Sequence, residues 1–467
     1  MDDTTGFSSY PPIDPTAFDL IIIGTGLPES ILAAAAAAAS GKTVLHLDPN
    51  PFYGSHFSSL PLSVLPSFLL SHSHSQSDAV SLPLDDLTTP SQSDAVTLPV
   101  DLTTRPVYSH IEISSPSPDL LEPSRKFNLD LAGPRVLFCA DSAVDLVRKS
   151  GAYQYVWFGN VDGPYVYGAD GKLSSIPDSR YAMFRDRSLG LMDKALLGRF
   201  FKLVEGHLKG VGSERISDED MERPFVEFLD TLRLPERIKS IIIYAIALAD
   251  YDQDKMEGCK SVLKTKDGIS RLALYRSSVG RFNALGALIY PMHGQCELGD
   301  AFCRRAGVKG GLCVLRMPVK ALLVDKESGG CKGAKLASGQ DLFSNEIVLG
   351  PSFMTLVPSA NSSLEFLQTK LIDVGRDVRG LVARGICITN SSLKADVSTC
   401  LVGSYDSFHF TPMPDGNLNY NDLLDATKEL FHKMFPEEEF FPETTFSQLD
   451  DDGELGPSPN DDGSLDS

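Results

Sequence analysis

The hydrophobic pattern at the start of the chain predicts an α/β fold. Residues 18–26, FDLIIIGTG, are apolar and end in a glycine turn, which predicts a short buried strand. A helix is predicted over 28–39, because its alanine run combines the highest helix propensity with little side-chain bulk. Residues 42–48, KTVLHLD, predict a second strand that ends in an acidic residue. Strand, helix and strand in this order usually begin a doubly wound, Rossmann-type sheet.

The pattern changes to a helical period in the middle of the chain. Apolar residues recur at helical spacing across 176–285, and residues 235–250 are apolar nearly all round, which predicts a deeply buried helix. Strand-like runs resume at 286. We therefore predict an α/β domain built from 18–175 and 286–436, with an all-helical domain over 176–285 inserted into it.

A segment of different composition interrupts the α/β domain. Residues 60–125 are rich in Ser, Pro, Thr and Asp, and they contain a direct repeat: SQSDAVSLPLDDLTTP at 75–90 and SQSDAVTLPVDLTTRP at 91–106. A solenoid needs three or more stacked units, so two copies do not indicate one. The composition instead predicts a disordered insertion at the surface.

Acidic charge is concentrated at the end of the chain. The net charge is −20, from 62 acidic and 42 basic residues. Residues 437–467 contain 11 of the acidic residues and no Lys or Arg, and we predict a disordered acidic tail there. Without a basic stripe, nucleic-acid binding is not expected. Residues 1–17, an N-terminal extension, lack the features of a secretory signal, and a cytosolic protein is expected.

The glycine turn resembles a dinucleotide-binding motif that has lost its last glycine. The sequence continues from Gly24 and Gly26 to Glu29, which stands in place of the third glycine. A carboxylate in the first helical turn interacts with the helix dipole and repels a phosphate. Asp48 lies where an acid would bind the ribose. We interpret these four residues as a degenerate site without a cofactor; a flavin-dependent oxidoreductase is the alternative of a different class.

Other catalytic or metal-binding motifs are not evident. The sequence contains no HExxH, GxSxG or P-loop motif. Its eight cysteines form no CxxC, and none has zinc-like spacing to a histidine. We therefore predict no catalytic residue and no metal site. Two polar and aromatic segments, NPFYG at 50–54 and YPMHGQCELGDAFCRRAG at 290–307, instead have the composition of a protein-binding surface.

Long motifs give a specific family resemblance. Residues 19–54, including the glutamate after the glycine turn, resemble the first conserved region of the family that joins Rab GDP-dissociation inhibitors and Rab escort proteins. Residues 290–328 resemble its third conserved region. Together with NLDLAGPRVLF at 128–138 and DRSLGLMDKALLGRFFKLVE at 186–205, the resemblance covers most of 18–390.

The resemblance implies a fold and a set of partners. The expected fold is a larger domain like that of flavin monooxygenases, with a helical domain that holds an isoprenoid. CELGDAFCRR, CVLR and VDKES look more like the escort proteins, and a dissociation inhibitor is the alternative within the family. An escort protein binds unprenylated, GDP-form Rab and presents it to the separate heterodimer of Rab geranylgeranyltransferase. It then delivers the geranylgeranylated Rab to membranes, with no catalytic residues of its own.

The resemblance also assigns residues that would contact Rab. The assigned residues are Tyr53, Tyr290, Glu297, Arg304 and Val314. For Arg304 the alternative is that its side chain is solvated, or that it pairs with Glu297, seven residues earlier.

Overall fold

The fold is described from a computed structural model, which confirms the predicted α/β class. The described residues are 10–39, 41–73, 97–104, 107–114, 128–133, 135–161, 163–167, 173–175, 190–210, 215–249, 252–253, 262–284, 286–325, 331–350, 352–355, 372–373, 384–388, 400–403 and 419–442.

Along the chain, the strands come before and after the helical region. They are β1 (Ala17–Ile23), β2 (Val44–Asp48), β3 (Ser59–Pro61), β4 (Thr97–Thr104), β5 (Asn128–Asp130), β6 (Leu137–Phe138), β7 (Phe158–Asn160), β8 (Gly163–Tyr167), β9 (Leu173–Ser175), β10 (Leu288–Pro291), β11 (Leu312–Leu315), β12 (Val319–Asp325), β13 (Cys331–Leu336), β14 (Asp341–Leu349), β15 (Phe353–Thr355), β16 (Ile372–Asp373) and β17 (Cys400–Gly403).

The helices form two groups, one beside the central sheet and one in the middle of the chain. They are α1 (Leu27–Ala38), α2 (Leu65–Ser71), α3 (Ser142–Lys149), α4 (Leu191–Lys209), α5 (Asp218–Glu222), α6 (Phe225–Thr231), α7 (Glu236–Ser240), α8 (Thr265–Ser278), α9 (Cys296–Val308) and α10 (Asn421–Met434).

A large mixed sheet organises the α/β part. Its strand order is β11-β2-β1-β14-β13-β12-β4-β15, and β16 pairs with β14. Neighbouring strands from β11 to β14 run parallel, whereas the remaining neighbours along this order, from β14 to β15, run antiparallel. Smaller sheets have the orders β6-β10-β7, β17-β8-β9 and β3-β5.

Helix α1 packs closely because of its alanine run. Ala33, Ala34, Ala35 and Ala36 are fully buried, and α1 packs against α9 and α10. Small side chains allow close helix packing and raise helix propensity at the same time. The carboxyl ends of β1 and β2, and the first turn of α9, are thereby held beside one another.

The middle of the chain has its own hydrophobic core. Helices α4, α6, α7 and α8 contribute to this core, together with a π-helical turn over Ile241–Ile246. The predicted buried helix is therefore an α-helical turn followed by a π-helical one. Among the described residues, no helix is both long enough and apolar enough to cross a membrane.

The predicted disordered insertion over 60–125 contains ordered elements where it is described. Helix α2 lies in this range, and β4 pairs with β12 over Thr97–Asp101 and with β15 over Leu102–Thr104. β4 comes from the second copy of the repeat, while the first copy lies outside the described residues. The prediction is wrong for these elements, because the hydrogen-bonding partner of β4 lies about 220 residues away and local composition does not reveal it.

Both termini also pack further than predicted. Ile13 of the predicted extension 1–17 is buried, and the Gln340 side chain hydrogen-bonds its backbone N–H and C=O. Phe441, assigned to the tail 437–467, is 1% exposed and packs against Phe302. Aromatic burial therefore continues past the predicted start of the acidic tail.

Candidate functional site

Glu29 fills the glycine turn between β1 and α1. The Glu29 side chain is buried, and a Cβ placed on Gly350 would come within 3.3 Å of its Oε1 atom. A Cβ on Gly26 would collide with Oε2. The carboxylate thus occupies the glycine-lined space at the N-terminus of α1, where dinucleotide folds bind the pyrophosphate.

The carboxylate of Asp48 is hydrogen-bonded within the protein. It accepts hydrogen bonds from the Thr25 N–H at 2.9 Å and hydroxyl at 2.6 Å, and from the Asn50 N–H and side-chain amide, both at 2.8 Å. Burial raises the pKa of Asp48, and these hydrogen bonds oppose that rise. Because Asp48 and Glu29 are directed into the fold, these residues do not fit a flavin or nicotinamide dinucleotide.

Tyr290 belongs to a polar cluster at the start of α9. Its hydroxyl donates to the carboxylate of Asp130, which also accepts from the Ser59 hydroxyl and, at 3.0 Å, from the Gln295 N–H. Burial and the nearby Asp130 raise the pKa of Tyr290. Asp130 was not singled out from the sequence, although it lies in NLDLAGPRVLF, one of the motifs that carry the family resemblance.

Glu297 stabilises the turn that precedes α9. Its carboxylate accepts a hydrogen bond from the backbone N–H of His293 at 3.0 Å and contacts the ring of the same residue at 2.7 Å. The side chain is 14% exposed. Much of the carboxylate is therefore used to fix the start of α9, and only part of it faces solvent.

Arg304 extends into solvent from the same helix. It is exposed and forms an ion pair of 3.0 Å with Asp300, not with Glu297. Glu297, Asp300 and Arg304 are spaced by three and four residues, so they lie along one face of α9. The (i, i+4) spacing of Asp300 and Arg304 could have predicted this pair from the sequence.

Tyr53 lies beside that face of α9, whereas Val314 packs on the other face of the sheet with Leu47. Val314 is half-buried on β11, at the edge of the sheet, and Tyr53 follows β2. Burial, and then the neighbouring Cys313, raise the pKa of Tyr53. The negative charge of Asp300 raises it further. The structure thus brings four of the five residues assigned to Rab contact to α9: Tyr290 and Glu297 lie at its start, and Tyr53 lies beside its later turns, which carry Arg304. Val314 is not among them, because successive side chains of β11 point to opposite faces of the sheet and it is Cys313 that points toward α9.

Beneath Tyr53, a histidine and two cysteines come together. His46 on β2 and Cys313 on β11 are register partners, and Cys303 belongs to α9. Cys303 Sγ lies 3.7 Å from His46 Nδ1. The interaction with Cys303 lowers the pKa of Cys313, and the same interaction and burial raise the pKa of Cys303. Sequence spacing missed this cluster, because its residues come from three separate elements.

The geometry defines a Rossmann-like protein whose dinucleotide site is closed and whose α9 face is polar and partly exposed. The family model described as GDP dissociation inhibitor matches residues 14–78 and 97–395, and the chain belongs to this family. The crystal structure of Rab GDI from Plasmodium falciparum has the same fold. It superposes with a TM-score of 0.54 at 17% identity, covering 91% of this chain and 99% of that chain.

Identities to curated relatives differ between the branches of this family. The chain is 52% identical over 408 residues to Rab escort protein 1 of Arabidopsis thaliana, covering 84% of this chain and 71% of that protein. It is 28% identical to Rab proteins geranylgeranyltransferase component A of Drosophila melanogaster, covering 81% of this chain and 65% of the relative. Against guanosine nucleotide diphosphate dissociation inhibitor 1 of Arabidopsis the identity is 24%, covering 82% and 72%.

Proposed function

We propose that this chain acts as a Rab escort protein. It binds a Rab GTPase in its unprenylated, GDP-bound form and presents it to the catalytic heterodimer of Rab geranylgeranyltransferase. It then carries the geranylgeranylated Rab to membranes. In this role the chain is the accessory component of the transferase in the cytosol and supplies no catalytic group.

One observation carries this proposal. Two relatives from the same organism differ sharply: the chain is 52% identical to the Arabidopsis escort protein and 24% identical to the Arabidopsis dissociation inhibitor. The two alignments cover similar shares of this chain, at 84% and 82%. The higher identity is therefore not a consequence of a shorter match, and it favours the escort role within the family.

The α9 face supports a protein-binding role. Arg304 projects from the face, and Tyr53 lies beside it, while Glu297 and Tyr290 fix the first turn of the helix. Arginine and tyrosine are enriched among the residues that dominate interface energies. We assign the Rab contact to this face together with Val314 on the edge strand β11, and we call the whole the α9 surface: Tyr53, Tyr290, Glu297, Arg304 and Val314.

We assign the geranylgeranyl group to the helical region. Its core is apolar, and Leu191 and Met192 at the start of α4 are 88% and 74% exposed. Exposed large apolar side chains beside an apolar core suit a hydrocarbon ligand, because binding removes their surface from water.

A reconstitution separates the escort role from its alternatives. The chain is added to purified catalytic heterodimer, a GDP-loaded Rab and labelled geranylgeranyl diphosphate. Transfer of label to Rab only when the chain is present is the expected result. The Arabidopsis dissociation inhibitor serves as the matched control from the same family.

Other outcomes are equally informative. No transfer, combined with extraction of prenylated Rab from membranes, would identify a dissociation inhibitor and contradict the proposal. A flavin absorbance spectrum in the purified chain would favour an oxidoreductase, which the position of Glu29 disfavours.

A further inference from the structure

The cluster of His46, Cys303 and Cys313 has the composition of a metal site. The potential ligand atoms, one from each residue, all lie within 4.8 Å of one another. His46 and Cys303 are buried, and Cys313 is half-buried. Two cysteines and one histidine are a common ligand set for zinc, which takes thiolate sulfur and imidazole nitrogen.

The backbone explains why the three side chains converge. His46 and Cys313 are paired across neighbouring parallel strands, so their side chains leave the same face of the sheet. Cys303 approaches from α9, which packs over that face beside α1. The ligands thus come from rigid elements instead of a loop, and their spacing is set by the fold.

The orientation of His46 is the second observation that points to a metal. Its Nε2 atom lies 2.5 Å from the carbonyl oxygen of Gly24, so Nε2 carries the hydrogen and donates it. Metal-binding histidines usually donate their other ring N–H to a carbonyl or carboxylate in this way. The remaining nitrogen, Nδ1, faces Cys303 Sγ.

The distances are close to those of a tetrahedral zinc site. Zinc–sulfur and zinc–nitrogen bonds of about 2.3 and 2.05 Å at a tetrahedral angle place sulfur and nitrogen about 3.6 Å apart. The separation of Cys303 Sγ and His46 Nδ1 is 3.7 Å. Two thiolates would also balance the charge of a divalent ion, which a largely buried site favours.

We propose that His46 Nδ1, Cys303 Sγ and Cys313 Sγ bind one zinc ion beneath the α9 surface. A water molecule would complete the four ligands, as in zinc sites that have three protein ligands. Half-buried Tyr53 and Cys313 give the ion its route from solvent. The inference concerns metal binding alone and does not depend on the Rab partner.

The test measures zinc in the full chain. Protein dialysed against buffered Zn²⁺ is passed through a desalting column and analysed by mass spectrometry for metal and by absorbance for protein. We expect one zinc per chain, and complete loss of it in Cys313→Ser. The matched control is Cys331→Ser, because Cys331 is also half-buried on a strand but lies outside the cluster. This control should keep its zinc.

Further measurements distinguish the loss of a zinc ligand from misfolding of the variant. Circular dichroism of each variant establishes that it is folded, and Cys303→Ala provides a second change at another ligand. Cobalt bound in place of zinc should show a sulfur-to-metal charge-transfer band in the wild type that is lost in both variants. The proposal is overturned if the folded wild type takes up no zinc, or if Cys313→Ser keeps it. A disulfide between Cys303 and Cys313 in the purified chain, found by mass spectrometry, would overturn it as well.

Discussion

The guanidinium of Arg304 lies 3.0 Å from the carboxylate of Asp300, one helical turn earlier on α9. Arg304 is 60% exposed, so water screens the pair, and a surface pair at this spacing contributes about 0.3–0.5 kcal/mol to stability. The neighbouring Arg305 is buried and donates to the Ser150 carbonyl oxygen at 2.6 Å. Two adjacent arginines therefore have separate roles, one available to a partner and one within the fold.

Reversing the charge of Arg304 tests the α9 surface. Arg304→Glu should weaken binding of GDP-loaded Rab about thirtyfold or more, because a central interface arginine contributes about 2 kcal/mol. The melting temperature and circular dichroism should change little, since only an exposed pair is lost. Affinity is measured by isothermal titration calorimetry.

A second charge reversal controls for the loss of a surface ion pair. Lys433→Glu on α10 removes a pair with Glu429 of the same spacing, in which the cation is exposed to a similar degree. It should leave Rab affinity unchanged. Unaltered affinity in folded Arg304→Glu protein would contradict the assignment of Arg304 to the Rab contact.

Removing the carboxylate from the glycine turn should not create a flavin site. Glu29→Gly opens the space beside Gly26, but Asp48 remains hydrogen-bonded to Thr25 and Asn50. After incubation with FAD and desalting, the variant should show no flavin absorbance. Glu29→Gln is the control, because it keeps the side-chain volume and removes the charge. Stoichiometric flavin in Glu29→Gly would mean that one side chain alone closes the site.

The two copies of the repeat allow a test of how much β4 contributes to the stability of the fold. Deleting 75–90 leaves the second copy, and with it β4, so the melting temperature should change little. Deleting 75–106 removes β4 and leaves the backbone groups on one side of β12 without a partner, while the pairing with β13 remains. This longer deletion should lower the melting temperature by several degrees. Equal melting temperatures for the two deletions would show that pairing with β4 adds little stability.

His56 should make folding sensitive to mild acid. It is buried beside Tyr108, with its Nδ1 atom 2.9 Å from the tyrosine hydroxyl. Burial, and then nearby His72, lower the pKa of His56 from 6.5 to about 3. Between these values the unfolded chain binds a proton that the folded chain does not, so stability falls as the pH drops below about 6.5.

The expected effect can be measured by urea unfolding. Between pH 7 and pH 5 this proton linkage removes about 2 kcal/mol from the free energy of unfolding. His56→Gln should lose less stability over that interval by about this amount. The same substitution at exposed His432 controls for the loss of an imidazole. An identical pH dependence in wild type and His56→Gln would contradict the prediction.

The sequence predicted those parts of the fold that depend on local pattern. The strand over 18–26, the helix over 28–39 and the strand over 42–48 correspond to β1, α1 and β2. Propensity and hydrophobic period act within a few residues, so they are visible in one segment of sequence. The glutamate in the glycine turn was visible for the same reason.

Non-local contacts could not be predicted in this way. β4 resembles a disordered segment in composition, and its order comes from pairing with β12, far along the chain. The His46, Cys303 and Cys313 cluster likewise requires the register of β2 with β11 and the packing of α9. The carboxylate of Asp130 joins Ser59, Tyr290 and Gln295, so that three separate segments meet: one with Ser59, one with Asp130 and one with Tyr290 and Gln295.

Glu29 has a consequence for how the folded protein responds to its surroundings. A protein that binds a dinucleotide gains stability from the free cofactor, about 2.7 kcal/mol when the cofactor is at one hundred times its dissociation constant. Here the group in the glycine turn is covalently part of the chain, so it is present in every molecule at every dilution. The abundance of the folded form is thereby uncoupled from the supply of flavin in the cell. A transport factor built on this fold can remain at a constant level when metabolism changes.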